Sequence, residues 1–129
     1  MAIGILDFNR IKELLAGSIP DEELFAEADR IRRDHYGDAV YLRGLIEFTN
    51  YCRNNCYYCG IRAGNSHLER YRLDRKTILD CCREGYDLGF RTFVLQGGED
   101  PYFAGEEGDE RLCEIVFAIH QRYPECAVT

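Results

Sequence analysis

The chain has 129 residues, a formal net charge of −7 and 46 % hydrophobic residues, which suits one compact domain and argues against disorder. The acidic balance excludes nonspecific nucleic-acid binding, which needs clustered Lys and Arg, and no apolar run approaches the ~20 residues of a membrane span. No basic residue precedes the short apolar stretch at the N-terminus and Asp7 follows it at once, so a secretory signal is not expected and the chain is assigned to the cytoplasm.

In chain order, a first helix is predicted from Asp7, its N-cap, to Ala16, with Ile11, Leu14 and Leu15 on one face and Gly17 at its end. A second begins near Pro20. Asp21, Glu22 and Glu23 suit the positive end of its dipole, Leu24, Phe25, Ala28 and Ile31 follow at helical spacing, and Gly37 stops it. Residues 1–39 therefore read as an N-terminal helical segment.

Residues 40–129 read as the first β/α units of an α/β fold. Leu42 to Thr49 is a buried strand by composition, and a cysteine loop follows directly. Asp74 caps a helix in which Ile78, Leu79, Cys82 and Tyr86 share a face, closed by Gly89. Arg91 to Gln96 is a second buried strand, leading into Gly97-Gly98-Glu99-Asp100-Pro101. A helix from Asp109 to Tyr123 sets Leu112, Ile115, Val116, Ile119 and Tyr123 along one stripe. The acidic run Glu106 to Glu110 is its solvated start, Pro124 ends it, and Cys126 to Thr129 opens a third strand. Alternating strands and helices imply parallel β-α-β units, which bring the loops after the strands to one face. A (β/α)8 barrel takes ~250 residues, so the sequence is expected to be the front part of a longer, truncated barrel. Alone it would carry an open sheet edge and is not expected to turn over.

The chain has seven cysteines. Three lie in one loop, Cys52-Arg53-Asn54-Asn55-Cys56-Tyr57-Tyr58-Cys59. The other four, Cys81, Cys82, Cys113 and Cys126, lack a partner spacing and are expected to be structural, with Cys82 in the core. Thiolates at this C-x3-C-x2-C spacing can hold three irons of a [4Fe-4S] cube and leave the fourth open. Asn54 and Asn55 suit a tight loop by tolerating left-handed backbone, and Gly60 permits a close approach or a sharp turn. Unligated core thiols, dithiol redox chemistry and zinc are the alternatives. Zinc wants four ligands; Cys56 and Cys59 make one C-x2-C pair, no second pair exists, and His67 stands at a spacing that fits no zinc module. Arg62, Arg70 and Arg72 read as solvated or helix-capping residues, with contact to a bound anion as the other possibility. His35 and His120 read as surface or helix-end residues, His67 as a loop residue.

The cysteine spacing, Tyr58 before the last cysteine and the place after a strand together resemble the radical S-adenosylmethionine (SAM) superfamily. The resemblance implies that Cys52, Cys56 and Cys59 ligate a [4Fe-4S] cluster whose open iron takes S-adenosyl-L-methionine. It further implies that Tyr58 packs near the adenine and that Gly97-Gly98-Glu99 meets the methionyl amino group. The runs Ile46 to Arg62, Glu69 to Leu73 and Val94 to Tyr102 resemble the HydE-type [FeFe]-hydrogenase maturases. Biotin synthase and methylornithine synthase are near relatives. Implied with the family are an organometallic iron–carbonyl–cyanide–cysteine substrate, other hydrogenase maturases as partners, and an electron donor such as a flavodoxin or ferredoxin. A non-catalytic zinc or iron–sulfur module is the competing class.

Overall fold

The computed structural model describes residues 8–129; Asp7 and its expected capping role lie outside them. The chain divides into two compact units, one up to Tyr41 and one from Leu42 to Thr129. No described helix is long and apolar enough to cross a membrane.

In the first unit, α1 (Phe8–Leu15) ends before Gly17, whose φ of 69° few other residues adopt. Helix α2 (Asp21–Tyr36) opens on Pro20, which stands at the cap position rather than inside the helix. Its carbonyl accepts the N–H groups of Glu23 and Leu24, and the three acidic residues expected in the first turn are there. Gly37, at φ 65°, closes α2 by donating to the Arg33 carbonyl.

The second unit is a three-stranded parallel sheet in chain order, β1 (Gly44–Thr49), β2 (Thr92–Gly97) and β3 (Ala127–Val128). The crossovers carry α3 (Arg75–Asp87) and α4 (Gly105–Arg122). Both helices pack on one sheet face. Ile46 and Phe48 of β1 and Phe93 of β2 meet Ile78, Leu79 and Cys82 of α3 and Ile115, Ala118 and Ile119 of α4 in a single core. The opposite face is open: Leu45 is 55 % exposed and Glu47 is exposed opposite Gln96. The strands expected to be buried are thus buried on one side only, and β1 begins at Gly44, where pairing with Phe93 starts, rather than at Leu42.

Asp74 caps α3 as expected, its side chain accepting the Thr77 N–H at 2.7 Å. Helix α4 begins four residues before the expected Asp109. The spacing of apolar residues could not show this, because the added turn holds two glycines, poor helix formers. Tertiary packing overrides that weakness. A Cβ at Gly108 would stand 2.2 Å from the Phe103 carbonyl carbon, so only glycine lets α4 lie flush on the short 3-10 turn Pro101–Phe103.

Candidate functional site

The cysteine loop hangs from the end of β1 by a closed neck. Buried Asn50 behaves like a piece of strand. Its N–H donates to the Tyr71 carbonyl at 3.3 Å, its Oδ1 accepts the Tyr71 N–H at 2.7 Å, and its Nδ2 donates to the Glu69 carbonyl at 2.8 Å. Arg70 then gathers four carbonyls with one guanidinium, those of Asn50, Ile61, Arg62 and Asn65. Within the loop, Ala63 N–H donates to Asn54 O at 2.8 Å, Gly64 N–H to the Asn55 side chain at 3.0 Å, and Asn65 Nδ2 to Gly60 O at 2.8 Å. The asparagines therefore shape the loop by hydrogen bonding. Among the described residues no non-glycine has positive φ, so the left-handed role expected of Asn54 and Asn55 is not the one they play. Gly60 lies in a turn and faces open space.

The second loop seats on the root of the first. A β-bulge at Phe48 sets Thr49 opposite Gly97. A Cβ on Gly98 would lie 2.2 Å from the Tyr51 carbonyl oxygen and 2.7 Å from Cys52 Cβ, so the missing side chain is what lets the two loops touch. Gly98 N–H donates to Thr49 O at 3.3 Å, and Arg53 N–H donates to Glu99 O at 3.0 Å. The Glu99 carboxylate faces Arg53 at 3.8 Å, both side chains being well exposed.

Next to this seat lies a cluster that sequence reasoning missed. Asp100 is fully buried and accepts from Thr49 Oγ1 at 2.7 Å, Arg72 Nε at 2.6 Å, Arg72 Nη2 at 2.8 Å and Tyr102 N–H at 3.0 Å. The Arg72 guanidinium also covers the Tyr51 ring at 3.9 Å. Arg72 hydrogen bonding holds the Asp100 carboxyl at about 2, against the cost of burial and with help from Thr49 and Tyr102. The same bonds raise Arg72. Neither Arg70 nor Arg72 caps a helix: Arg70 binds carbonyls, and Arg72, its side chain still 37 % exposed, binds an anion of the protein itself. The Asp-Pro pair at 100–101 is a local turn signal that could have marked Asp100. Nothing local marks its partner Arg72.

Of the residues expected at a site, the loops bring Cys52, Gly97, Gly98 and Glu99 together. Cys56 and Cys59 are joined by a turn, Cys59 N–H donating to Cys56 O at 3.1 Å. All three loop cysteines are free thiols, Cys56 exposed and the other two half-buried. Tyr58 is 91 % exposed and Tyr57 97 %, so Tyr58 packs on nothing within the described chain. Among the described residues no three His, Cys, Asp or Glu side chains converge on a single ion. A cube-shaped cluster makes no such demand, since each iron takes its own thiolate, and soft sulfur donors suit it. Beneath the loops a recess of about 50 Å³ on the open sheet face is bordered by Glu47, Asn50, Tyr71 and Gln96.

The remaining cysteines divide. Cys82 and Cys126 are buried, and burial pushes the Cys82 thiol up to about 11 and raises that of Cys126. Cys81 and Cys113, expected to be structural as well, are exposed on helix surfaces.

No family model matches the chain. It is 49 % identical over 95 residues to the [FeFe] hydrogenase maturase subunit HydE of Thermotoga maritima, covering 74 % of this chain and 27 % of the relative. It is 36 % identical over 95 residues to 3-methylornithine synthase of Methanosarcina acetivorans, covering 74 % of this chain and 26 % of that protein. The chain thus spans about a quarter of the length of these curated relatives. Among solved structures it resembles methylornithine synthase (PylB), with a TM-score of 0.81 and 30 % identity over 97 % of this chain and 37 % of the other. It also resembles the FeFe-hydrogenase maturase HydG from Carboxydothermus hydrogenoformans, with a TM-score of 0.68 and 30 % identity over 84 % of this chain and 24 % of that one. With these homologues, and with an α/β arrangement that matches theirs, the chain belongs to the radical SAM superfamily.

Proposed function

We propose that this chain forms the cluster- and SAM-binding front of a radical SAM enzyme of the HydE type, acting in assembly of the [FeFe]-hydrogenase centre. In this reading it is the opening of a partial or complete TIM barrel. One observation carries the proposal: Gly98 seats without a side chain on Tyr51 and Cys52. A Gly-Gly-Glu turn is thereby held beside the first of three free thiols in a single loop. Cys52, Cys56 and Cys59 would hold a [4Fe-4S] cluster. Gly97, Gly98 and Glu99 would meet the amino end of SAM, the glycines admitting close backbone approach and the carboxylate suiting an ammonium. Tyr58, exposed at 91 %, would cover the adenine.

When bound, these groups would supply reductive cleavage of the sulfonium S–C5′ bond, the reduced cluster giving the one electron that leaves methionine and a 5′-deoxyadenosyl radical. The residues of this chain bind, orient and shield. Asn50 and Arg70 keep the thiol loop in shape, and Asp100 fixes the glutamate turn. Glu99 can exchange its loose contact with Arg53 for a cationic ligand, because that pair is exposed and lightly held. An iron–carbonyl–cyanide–cysteine complex as substrate, other hydrogenase maturases as partners, a flavodoxin or ferredoxin as electron donor and a cytoplasmic location belong to the same proposal. The greater identity to HydE than to methylornithine synthase supports it.

The PylB likeness favours a second reading, a methylornithine-synthase-like enzyme. Anaerobic reconstitution of the full chain with iron and sulfide tests both. About four irons per chain are expected, with a paramagnetic resonance signal of the reduced cluster that shifts on adding SAM. Binding of one zinc with no iron signal overturns the proposal. In the full-length protein, formation of 3-methylornithine against conversion of the iron complex separates the two readings.

A further inference from the structure

We propose that Asp100, with Thr49 and Arg72, is a positioning device that fixes Gly97-Gly98-Glu99 against the cysteine loop and so sets how tightly a ligand is held between the two loops. The inference rests on the SAM-binding reading above.

The donors that satisfy Asp100 come from separate parts of the chain. Thr49 ends β1, Arg72 lies between the cysteine loop and α3, and Tyr102 N–H follows in the next turn. A fully buried carboxylate with four donors is anchored more firmly than a surface pair. The glutamate turn is held on both sides of that anchor. Asp100 N–H donates to Gly98 O at 2.8 Å, Gly98 N–H to Thr49 O at 3.3 Å, and Arg53 N–H to Glu99 O at 3.0 Å. Thr49 belongs to both sets, because its hydroxyl donates to Asp100 while accepting the Tyr51 N–H at 3.2 Å. One hydroxyl therefore ties the residue before Cys52 to the residue after Glu99. Arg72 turns two of its donors, Nε and Nη2, into this network. The device touches the thiol loop at its root, at Tyr51, Cys52 and Arg53, while Asn50 and Arg70 close the loop's neck through bonds that do not involve Asp100. Loosening Asp100 should thus weaken the ligand that bridges the loops and leave cluster content intact.

The test uses Thr49→Val, Thr49→Ser and Asp100→Asn in the full chain. In the metal-free protein, hydrogen exchange of the Gly98 and Arg53 amides is expected to quicken about tenfold in Thr49→Val and Asp100→Asn. That is the effect of losing a hydrogen bond to a charged group. Thr49→Ser, which keeps the hydroxyl, should stay near wild type, as should the Leu73 amide in every variant, since it donates to Phe48 O. After anaerobic reconstitution, iron content should match wild type while SAM affinity falls about tenfold in Thr49→Val and recovers in Thr49→Ser. Wild-type exchange in Thr49→Val overturns the inference. So does faster exchange with unchanged SAM affinity. A wild-type protein that takes up iron but never binds SAM instead sinks the functional reading, and the exchange result then decides the positioning role alone. If Asp100→Asn does not fold, the Thr49 pair carries the test.

Discussion

Replacing Asp100 by Asn keeps the shape of the side chain and removes its charge. The folded protein holds this carboxyl at about 2 against an ordinary 3.8. Arg72 is the main cause, burial works the other way, and Thr49 and the Tyr102 N–H add to the lowering. That difference corresponds to at most about 2 kcal/mol of folding free energy, since the partner Arg72 is 37 % exposed while Asp100 is buried. The carboxyl is more acidic in the folded state. Its contribution is therefore complete above the unfolded value near 4 and fades as the pH falls toward 2, with about half gone at pH 3. Urea titration of wild type and Asp100→Asn from pH 7 down to pH 3 measures this. The gap should be at most about 2 kcal/mol at pH 7 and about half of that at pH 3. An equal gap at both pH values, or one below about 0.5 kcal/mol at pH 7, would refute the ion-pair account.

Gly98→Ala drives a methyl group into the Tyr51 carbonyl, 2.2 Å away; the loops should part and SAM binding should fall at least as far as in Thr49→Val, measured by calorimetry on the reconstituted protein. Gly108→Ala meets backbone at Phe103 and should cost about 1–3 kcal/mol by thermal unfolding despite the better helix propensity of Ala. Arg70→Ala releases four carbonyls, so amide exchange across residues 59–65 should rise; an unchanged exchange map would contradict the neck described above. Iodoacetamide on the folded, metal-free chain should label Cys56, Cys81 and Cys113 and spare Cys82 and Cys126 until denaturant is added, as read by peptide mass spectrometry.

Periodicity found what local spacing encodes. Leu112, Ile115, Ile119 and Tyr123 of the α4 stripe and the face of Ile78, Leu79 and Cys82 pack where their spacing put them, while Ala118 takes the core place expected of Val116, and Asp74 caps as its position suggests. The start of α4 was hidden, since glycines at 105 and 108 read as loop until Phe103 is known to lie beneath Gly108. The cysteine spacing and the Gly-Gly-Glu string were visible because their chemistry is local. The Asp100 cluster was not. Its partners lie 28 and 51 positions away in the chain, and an arginine bound to a distant carboxylate looks in sequence like any surface arginine. Cys81 shows the reverse: next to buried Cys82, it turns outward by one helical step.

The pinched neck at Asn50 and Arg70 makes residues 51–68 a module. Asn50 fastens its two ends to one another through Tyr71 and Glu69, and Arg70 reaches into the span only through main-chain carbonyls. Exposed side chains of the interior, such as Tyr57, can therefore be exchanged without disturbing the strand before the span or the helix after it.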